Sequence, residues 1–414
     1  MSSNGRRVLF FSPLLAMPGQ HGGCVYPHAI LTELHRQGFA IDYAWLGAPL
    51  FGGRRLMGNP LNASYIARGW VRSCKRIGPF LVPSTVDGWL GQSELLTYNQ
   101  RIHGGEHLAT AAERAYAANL VRRLRPRFVL IDSTPMLNLL DDLSPEERRT
   151  LQVAVLTHNL THRRAELYRA HRQPLDFLPM DSDEEADLLA RSDIVIAIQE
   201  READAFRSMV REQEVITVPM PAATEPLPVS EEQTGRCLFV GGYSGHNIES
   251  IRWLLSEVWP RVRSALPHAE IAIAGTAGRV VEVPPPGVRV VGPVDDIKAE
   301  YAAASVCVVP LPLGTGLKIK LIEAMSFGRP VVTTPAGAEG FADIEEGRIA
   351  VVASDAQSFA AEVCRLLSSG SDRVAVAHRQ LDWVRNRLSP ERALAPYTTL
   401  LRQSASARLA PLST

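Results

Sequence analysis

Two lysines and a glutamate within one helical stretch, Lys318, Lys320 and Glu323, are the residues of this sequence best placed to do chemistry. They follow Leu313-Gly-Thr-Gly-Leu317, and the whole segment reads as strand, glycine loop, helix, strand. Ser305 to Val309 is a short apolar, β-branched run that Pro310 ends. Gly314 and Gly316 let backbone approach a ligand closely. The apolar spacing predicts a helix from about Leu317 to Phe327 with Ile319, Ile322 and Met325 on its buried face. Gly328 stops that helix and Pro330 opens the next strand. Cations in a first helical turn oppose the helix dipole and cost about 0.3–1 kcal/mol. An anion docked at the same end reverses the sign, because N–H groups and both ammonium groups then point at it. Glu323 lies three residues after Lys320 on the same face. A carboxylate one turn above a phosphate site can accept hydrogen bonds from sugar hydroxyls. The spacing alone fits an exposed ion pair on a solvated helix equally well.

The elements that must position these residues follow from the rest of the chain. A length of 414 residues predicts two or more domains. Apolar content of 46% and charged content of 21% are those of a globular protein. The net charge is zero, which removes any global electrostatic case for nucleic acid. Cys24, Cys74, Cys237, Cys307 and Cys364 are far apart and form no Cys-x-x-Cys, which points to a reducing, cytoplasmic setting. No run approaches the ~20 apolar residues of a membrane span.

Arg6-Arg7 before Val8-Leu-Phe-Phe11 loosely resembles a secretory leader. Ser12-Pro13 interrupts the run, and it reads as a first buried strand. Next come a loop, Pro18 to Cys24, a helix from about Tyr26 to Gln37 closed by Gly38, and a strand, Phe39 to Leu46. This is the opening unit of a doubly wound sheet. Gly22 and Gly23, at the carboxyl end of the first strand, sit where such sheets bind ligands. Residues 47–106 are the least legible. The basic stretch 54–76, interleaved with aromatics, can lie on the inner face of a membrane or grip an anionic acceptor. The same composition describes loops and a solvated helix. Further on, strands are predicted at Phe128–Asp132, Leu151–Leu156, Ser192–Ile198 and Val215–Val218, and helices at Leu108–Leu124, Ser144–Glu147 and Glu200–Arg211.

Two other patterns could hold a metal. His158 and His162 are four apart but lack an evident third ligand, so no metal is assigned. Asp181-Ser-Asp183 has the Asp-x-Asp form, but its setting is the acidic first turn of a helix. Pro219 to Gly235, proline-rich and without an apolar period, reads as a linker. After it, Cys237-Leu-Phe-Val240 leads into Gly241-Gly-Tyr-Ser-Gly245, a helix from about Ser250 to Leu266, and strands at Glu270–Ala274 and Val288–Val291. These glycines are not Gly-x-Gly-x-x-Gly, which disfavours a nicotinamide site. Asp355 caps a helix to Leu367, and Ser389-Pro-Glu391 starts a last helix to about Arg402.

The run from Gly314 to Gly340, Gly-x-Gly-x-Lys-x-Lys-x-x-Glu-Ala-Met-x-x-Gly-x-Pro-Val-Val-x-Thr and then Gly-Ala-Glu-Gly, resembles the donor-binding segment of family 4 glycosyltransferases (glycosyl transferases group 1). Thr157-His-Asn-x-x-His162 and Asp193-Ile-Val-Ile-Ala-Ile-x-Glu-Arg-Glu-Ala203 are similar to segments of the same family. The resemblance implies an α/β, GT-B fold, with two Rossmann-like doubly wound domains facing an inter-domain cleft. It implies an acceptor-side domain at 1–220, a linker at 221–234, a donor domain at 235–388, and a crossover helix and tail at 389–414. It implies transfer of a sugar from a UDP- or GDP-linked donor to an acceptor, with retention and with neither cofactor nor metal.

By the same resemblance, Glu323 holds the ribose; Lys318 and Lys320, cations placed unfavourably at a helix start, are expected to neutralise the diphosphate. His158 faces the donor sugar and Val294 the base. Backbone at Gly22, Gly23, Gly241, Gly242, Gly316 and Leu317 approaches the donor. The sequence departs from the family at three places. Thr315 replaces the first acid of a Glu-x7-Glu pair. Gly242 and Asn247 stand where many members carry an Arg and a Lys for the diphosphate. Those departures suit a non-catalytic subunit that binds a sugar nucleotide or a partner transferase. A nucleotide-sugar epimerase would share the fold but needs acid/base carboxylates that the sequence does not reveal.

Overall fold

Strands built from unbroken apolar runs must be covered on both faces, and the molecule meets that requirement twice. The computed structural model describes residues 6–13, 22–46, 57–58, 74–77, 80–83, 108–172, 175, 177–228, 235–294, 296–312 and 318–407; for 22–24, 45, 57–58, 74–77, 80–83 and 405–407 it describes backbone alone. The chain divides into one unit of Met1–Pro221 with Ala393–Thr414 and a second of Ala222–Arg392.

The first unit is organised on β1 (Arg7–Ser12), β2 (Ala40–Trp45), β3 (Met57–Gly58), β6 (Phe128–Asp132), β7 (Gln152–Leu156), β8 (Ile194–Ala197) and β9 (Glu214–Thr217), with a separate hairpin of β4 (Cys74–Ile77) and β5 (Phe80–Pro83). The seven-stranded sheet runs β3-β2-β1-β6-β7-β8-β9. All pairs are parallel except β2 with β3. Val8–Phe11 and Phe128–Ile131 are fully buried, so the sheet is covered on both faces. Chain order reverses between β1 and β6, which is where doubly wound sheets bind ligands.

Local signals set the helix starts. Thr110 with Glu113, Ser144 with Glu147, and Asp181 with Glu184 form capping boxes. Asp181 of the Asp-x-Asp is thereby an N-cap, as its acidic turn predicts. The first helix differs from expectation: it spans Gly22–Arg36, so Gly22 and Gly23 form its first turn rather than a loop. A helix at Thr161–Ala170 was not expected from the sequence, because its mean hydropathy is low and no side chain caps it.

The second unit carries β10 (Arg236–Val240), β11 (Glu270–Ala274), β12 (Val288–Gly292), β13 (Val306–Val309), β14 (Val331–Thr333) and β15 (Val351–Val352). Its all-parallel sheet runs β12-β11-β10-β13-β14-β15 and reverses between β10 and β13. Phe239, Ile251, Leu254, Val258, Ile271, Ile273, Val306 and Phe359 form one core on this sheet. The predicted helix over Ser250–Leu266 is present from Gly245 to Ala265 but contains a π turn at Leu254–Val258. Pro260 explains it: proline has no N–H to donate, and its ring displaces the carbonyl one turn earlier. A nineteen-residue helix, Gly370–Leu388, was also not expected. Ser369, in extended conformation, interrupts the helical run for one residue and then caps the Asp372 N–H.

Candidate active site

In the second unit the loops after β10 and β13 flank the reversal point. The helix after β13 spans Ile319–Ser326, two residues shorter at its start than the sequence suggests. Lys318 is its N-cap, with φ −86° and ψ 85°, and no side chain caps it. Lys318 is nonetheless buried, 7% exposed, and its carbonyl accepts the Leu321 N–H at 2.9 Å. Lys320 reaches across to the first turn of the helix Gly245–Trp253, which follows β10. Its ammonium donates to Asn247 Oδ1 and lies 5.0 Å from the centre of the Phe239 ring. Asn247 Nδ2 in turn donates to the Gly242 carbonyl at 2.9 Å. The lysine therefore tethers the glycine loop.

Close packing explains the glycine at 241. A Cβ there would lie 2.9 Å from the Phe239 ring and 3.1 Å from Asn247 Cγ. Gly275, with φ +93°, abuts the same loop, and a Cβ on it would lie 2.3 Å from the Gly241 carbonyl. Burial, with the Lys318 charge adding to it, lowers the Lys320 ammonium to about 7.

One turn along the helix, Glu323 Oε2 accepts the Tyr301 hydroxyl at 2.8 Å. Tyr301 is 1% exposed and packs on Phe327 with ring centres 4.8 Å apart. Burial raises the Glu323 carboxyl above the usual carboxylate range, and the Tyr301 hydrogen bond works against that rise. Burial and then the Glu323 charge keep the Tyr301 phenol protonated. Glu323 thus has one oxygen held by a fixed donor. Val294 is 36% exposed just beyond β12, and Tyr243, 57% exposed, follows Gly242. Gly316 and Leu317, and Thr315 with them, lie outside the described residues.

In the first unit a second polar cluster stands at the carboxyl ends of β1, β6 and β7. Ser12 Oγ donates to Asp132 Oδ2 at 2.6 Å, and His158 Nε2 meets Asp132 Oδ1 at 2.6 Å. Tyr26 lies edge-on to the His158 ring, with centres 5.9 Å apart, and its hydroxyl donates to the Val218 carbonyl at 2.6 Å. His162 does not join His158. Its Nδ1 pairs with Glu185 Oε2 at 2.7 Å, and Glu185 also accepts the Thr161 and His162 N–H groups. Each imidazole is engaged by its own carboxylate. Among the described residues no group of three or more His, Cys, Asp or Glu side chains could hold a metal ion.

Sequence reasoning did not find Asp132, Ser12, Tyr301, Phe239 or the Lys320–Asn247 link. Asp132 carried a signal, as a charge closing an apolar strand. Most of the stretch 54–76 is outside the described residues. Among the described residues no helix is long and apolar enough to cross a membrane.

Comparison with known proteins bears on both units. Residues 234–369 match the family described as glycosyl transferases group 1. No curated protein matches the sequence. Among solved structures, sucrose-phosphate synthase from Thermosynechococcus elongatus is similar with TM-score 0.66 and 16% identity, over 97% of this chain and 100% of that one. Anabaena HepE, solved with UDP and glucose, is similar with TM-score 0.57 and 13% identity, over 96% and 99%. The likeness to TarM has TM-score 0.56 and 12% identity over 70% of this chain, which spans 58% of the TarM chain. The fold is that of the GT-B glycosyltransferases, and the resemblance to group 1 holds over residues 234–369 of the second unit.

Proposed function

We propose that the chain transfers a sugar from a UDP- or GDP-linked donor to an acceptor, with retention of configuration. The observation that carries this is the helix Ile319–Ser326 at the reversal point of the second sheet, which presents Lys320 and Glu323 one turn apart. It stands in the segment that matches group 1 glycosyl transferases.

On this reading Lys318 and Lys320 face the diphosphate, Glu323 accepts from the ribose hydroxyls, and Val294 borders the base. Backbone at Gly241, Gly242, Gly316 and Leu317 approaches donor phosphate and sugar. Gly22, Gly23 and His158 act from the first unit, His158 towards the donor sugar. Residues 1–220 serve the acceptor and 235–388 the donor, joined by 221–234 and closed by 389–414. In the reaction the anomeric carbon–diphosphate bond breaks, and the acceptor oxygen bonds on the same face. The acceptor's proton passes to the departing diphosphate. The lysines stabilise the charge that develops there, and the remaining groups position both substrates. The setting is cytoplasmic, with residues 54–76 touching the membrane face.

A second reading, a non-catalytic subunit that binds a sugar nucleotide, is favoured by Gly242, Asn247 and Thr315. Thermal unfolding against UDP-, GDP- and TDP-sugars, with Glu323→Ala beside the wild type, tests donor binding. Ligand at ~100 times its Kd adds about 2.7 kcal/mol. A shift with one nucleotide class that Glu323→Ala abolishes supports the site, and no shift with any donor sinks it. Release of nucleoside diphosphate over many turnovers then separates enzyme from subunit.

A further inference from the structure

We propose that Asp132 is a positioning residue for His158, its carboxylate holding the imidazole in one orientation and as the tautomer protonated on Nε2. The proposal rests on the reading of His158 as a group that faces the donor sugar.

The geometry is unusually constrained. Asp132 is 1% exposed, and both of its oxygens are engaged, Oδ2 by the Ser12 hydroxyl and Oδ1 by His158 Nε2, each at 2.6 Å. An ionised carboxylate only accepts, so both neighbours must donate. That places the ring proton on Nε2 and fixes what Nδ1 can offer. A buried carboxylate is costly unless it is paired and hydrogen-bonded. Among the described residues no lysine or arginine pairs with Asp132; its partner of potential positive charge is His158.

The backbone supports the same placement. Ser133, the next residue, has φ 84°, a conformation that costs a non-glycine residue about 1–3 kcal/mol and that clusters at functional sites. Its N–H donates to the Leu156 carbonyl at 3.0 Å, tying the strand end that carries Asp132 to the strand end before His158. Tyr26 packs edge-on against the ring, anchored through its hydroxyl to Val218. Among the described residues, the charged and titratable groups near the imidazole include Asp132 from β6, Tyr26 from the first helix and, close to Tyr26, Glu202 from the helix Glu200–Met209. His162 is turned to Glu185 and takes no part. A carboxylate behind a histidine in this way fixes tautomer and ring direction and raises basicity.

The test reads the tautomer in the full chain by long-range proton–nitrogen correlation of histidine labelled with nitrogen-15. The His158 signal is assigned by its loss in His158→Gln, since the chain has 11 histidines. The wild type shows Nε2 protonated. Asp132→Asn keeps the shape; with its amide oxygen still accepting from the Ser12 hydroxyl it offers an N–H to Nε2, so the ring proton moves to Nδ1. Ser12→Ala leaves the wild-type tautomer in place. A wild-type ring protonated on Nδ1, or one that samples both tautomers, overturns the proposal even where Asp132→Asn does not fold. So does a folded Asp132→Asn with the wild-type tautomer. With a donor in hand, Asp132→Asn lowers kcat at least tenfold and leaves donor KM within twofold. Equal losses of kcat and thermal stability, with no tautomer change, mark a merely structural carboxylate. The tautomer measurement needs no donor, so its failure is distinguishable from a failure of the glycosyl-transfer reading.

Discussion

Lys320 and Asn247, 73 residues apart in sequence, hydrogen-bond across the reversal point of the second sheet. The helix after β13 and the glycine loop after β10 are thereby joined through the Lys320 ammonium and the Asn247 amide. On the proposed reading, the cation that holds the loop also faces the donor diphosphate. Lys320→Met should weaken UDP- or GDP-sugar binding about 10- to 150-fold, the loss of one charge-assisted contact of about 1.5–3 kcal/mol. Isothermal calorimetry reads it. A change below threefold would remove Lys320 from the diphosphate site.

Donor affinity should depend on pH through the same group. Burial and Lys318 bring the Lys320 ammonium to about 7. Below that pH the group is already charged. Above it, binding must add a proton, so affinity falls by up to ~tenfold for each further pH unit. Calorimetry above neutrality in buffers of differing ionisation enthalpy should show proton uptake that Lys320→Met lacks. The linkage has a matching sign in stability. The folded lysine lies below its unfolded value, so the unfolded chain binds more protons in between. Stability therefore rises with pH from about 7 towards the ordinary lysine range. Lys320→Met should lose that part of the slope.

Tyr301→Phe should sensitise nucleotide binding to acid. The Tyr301 hydroxyl favours the ionised form of Glu323 against burial. Without it the carboxyl protonates at higher pH, and a protonated acid accepts poorly from ribose hydroxyls. Titrations with UDP and GDP from about pH 8 to about pH 5 should show the variant losing affinity first. Superimposable profiles would mean that Glu323 does not meet the ribose.

Gly275→Ala should be disruptive out of proportion to one methyl group. The residue has φ +93°, and its Cβ would lie 2.3 Å from the Gly241 carbonyl. Backbone strain alone is ~1–3 kcal/mol, and the Gly241 loop must also move. A fall of several degrees in thermal midpoint with loss of donor binding is expected. Gly292→Ala is the control: its φ is +74°, but a Cβ there meets nothing within 4 Å, so it carries backbone strain without the collision.

The central strands were legible because parallel strands buried on both faces are written as unbroken apolar runs, as at Val8–Phe11 and Phe128–Ile131, whereas the short β3, β4, β5 and β15 were not. Helices with a capping box were equally legible, Ser144 with Glu147 being one. Gly370–Leu388 was not, since Ser368-Ser369-Gly370 reads as a loop and only the structure shows Ser369 restarting a helix. Of the site, the local pattern of Lys318, Lys320 and Glu323 was visible because a helix brings such neighbours together. The partners were not. Asn247 for Lys320, Tyr301 for Glu323 and Asp132 for His158 are brought close by strand order, and no local spacing encodes strand order.

The division of the chain has a consequence for its synthesis. The second unit is one continuous segment, whereas the first needs residues from both sides of it. Leu394, Tyr397 and Leu401, all buried, lie in the helix Pro390–Ala407, and Arg402 donates to the Gln37 side chain at 2.6 Å. On the ribosome, residues 222–392 emerge whole and can fold at once. The strands of the first unit all lie within residues 7–217, but the helix Pro390–Ala407 that completes it comes only after some four hundred residues have been made. The first unit is therefore begun first and finished last, and a nascent chain stalled before residue 393 carries a completed second unit beside an unfinished first one.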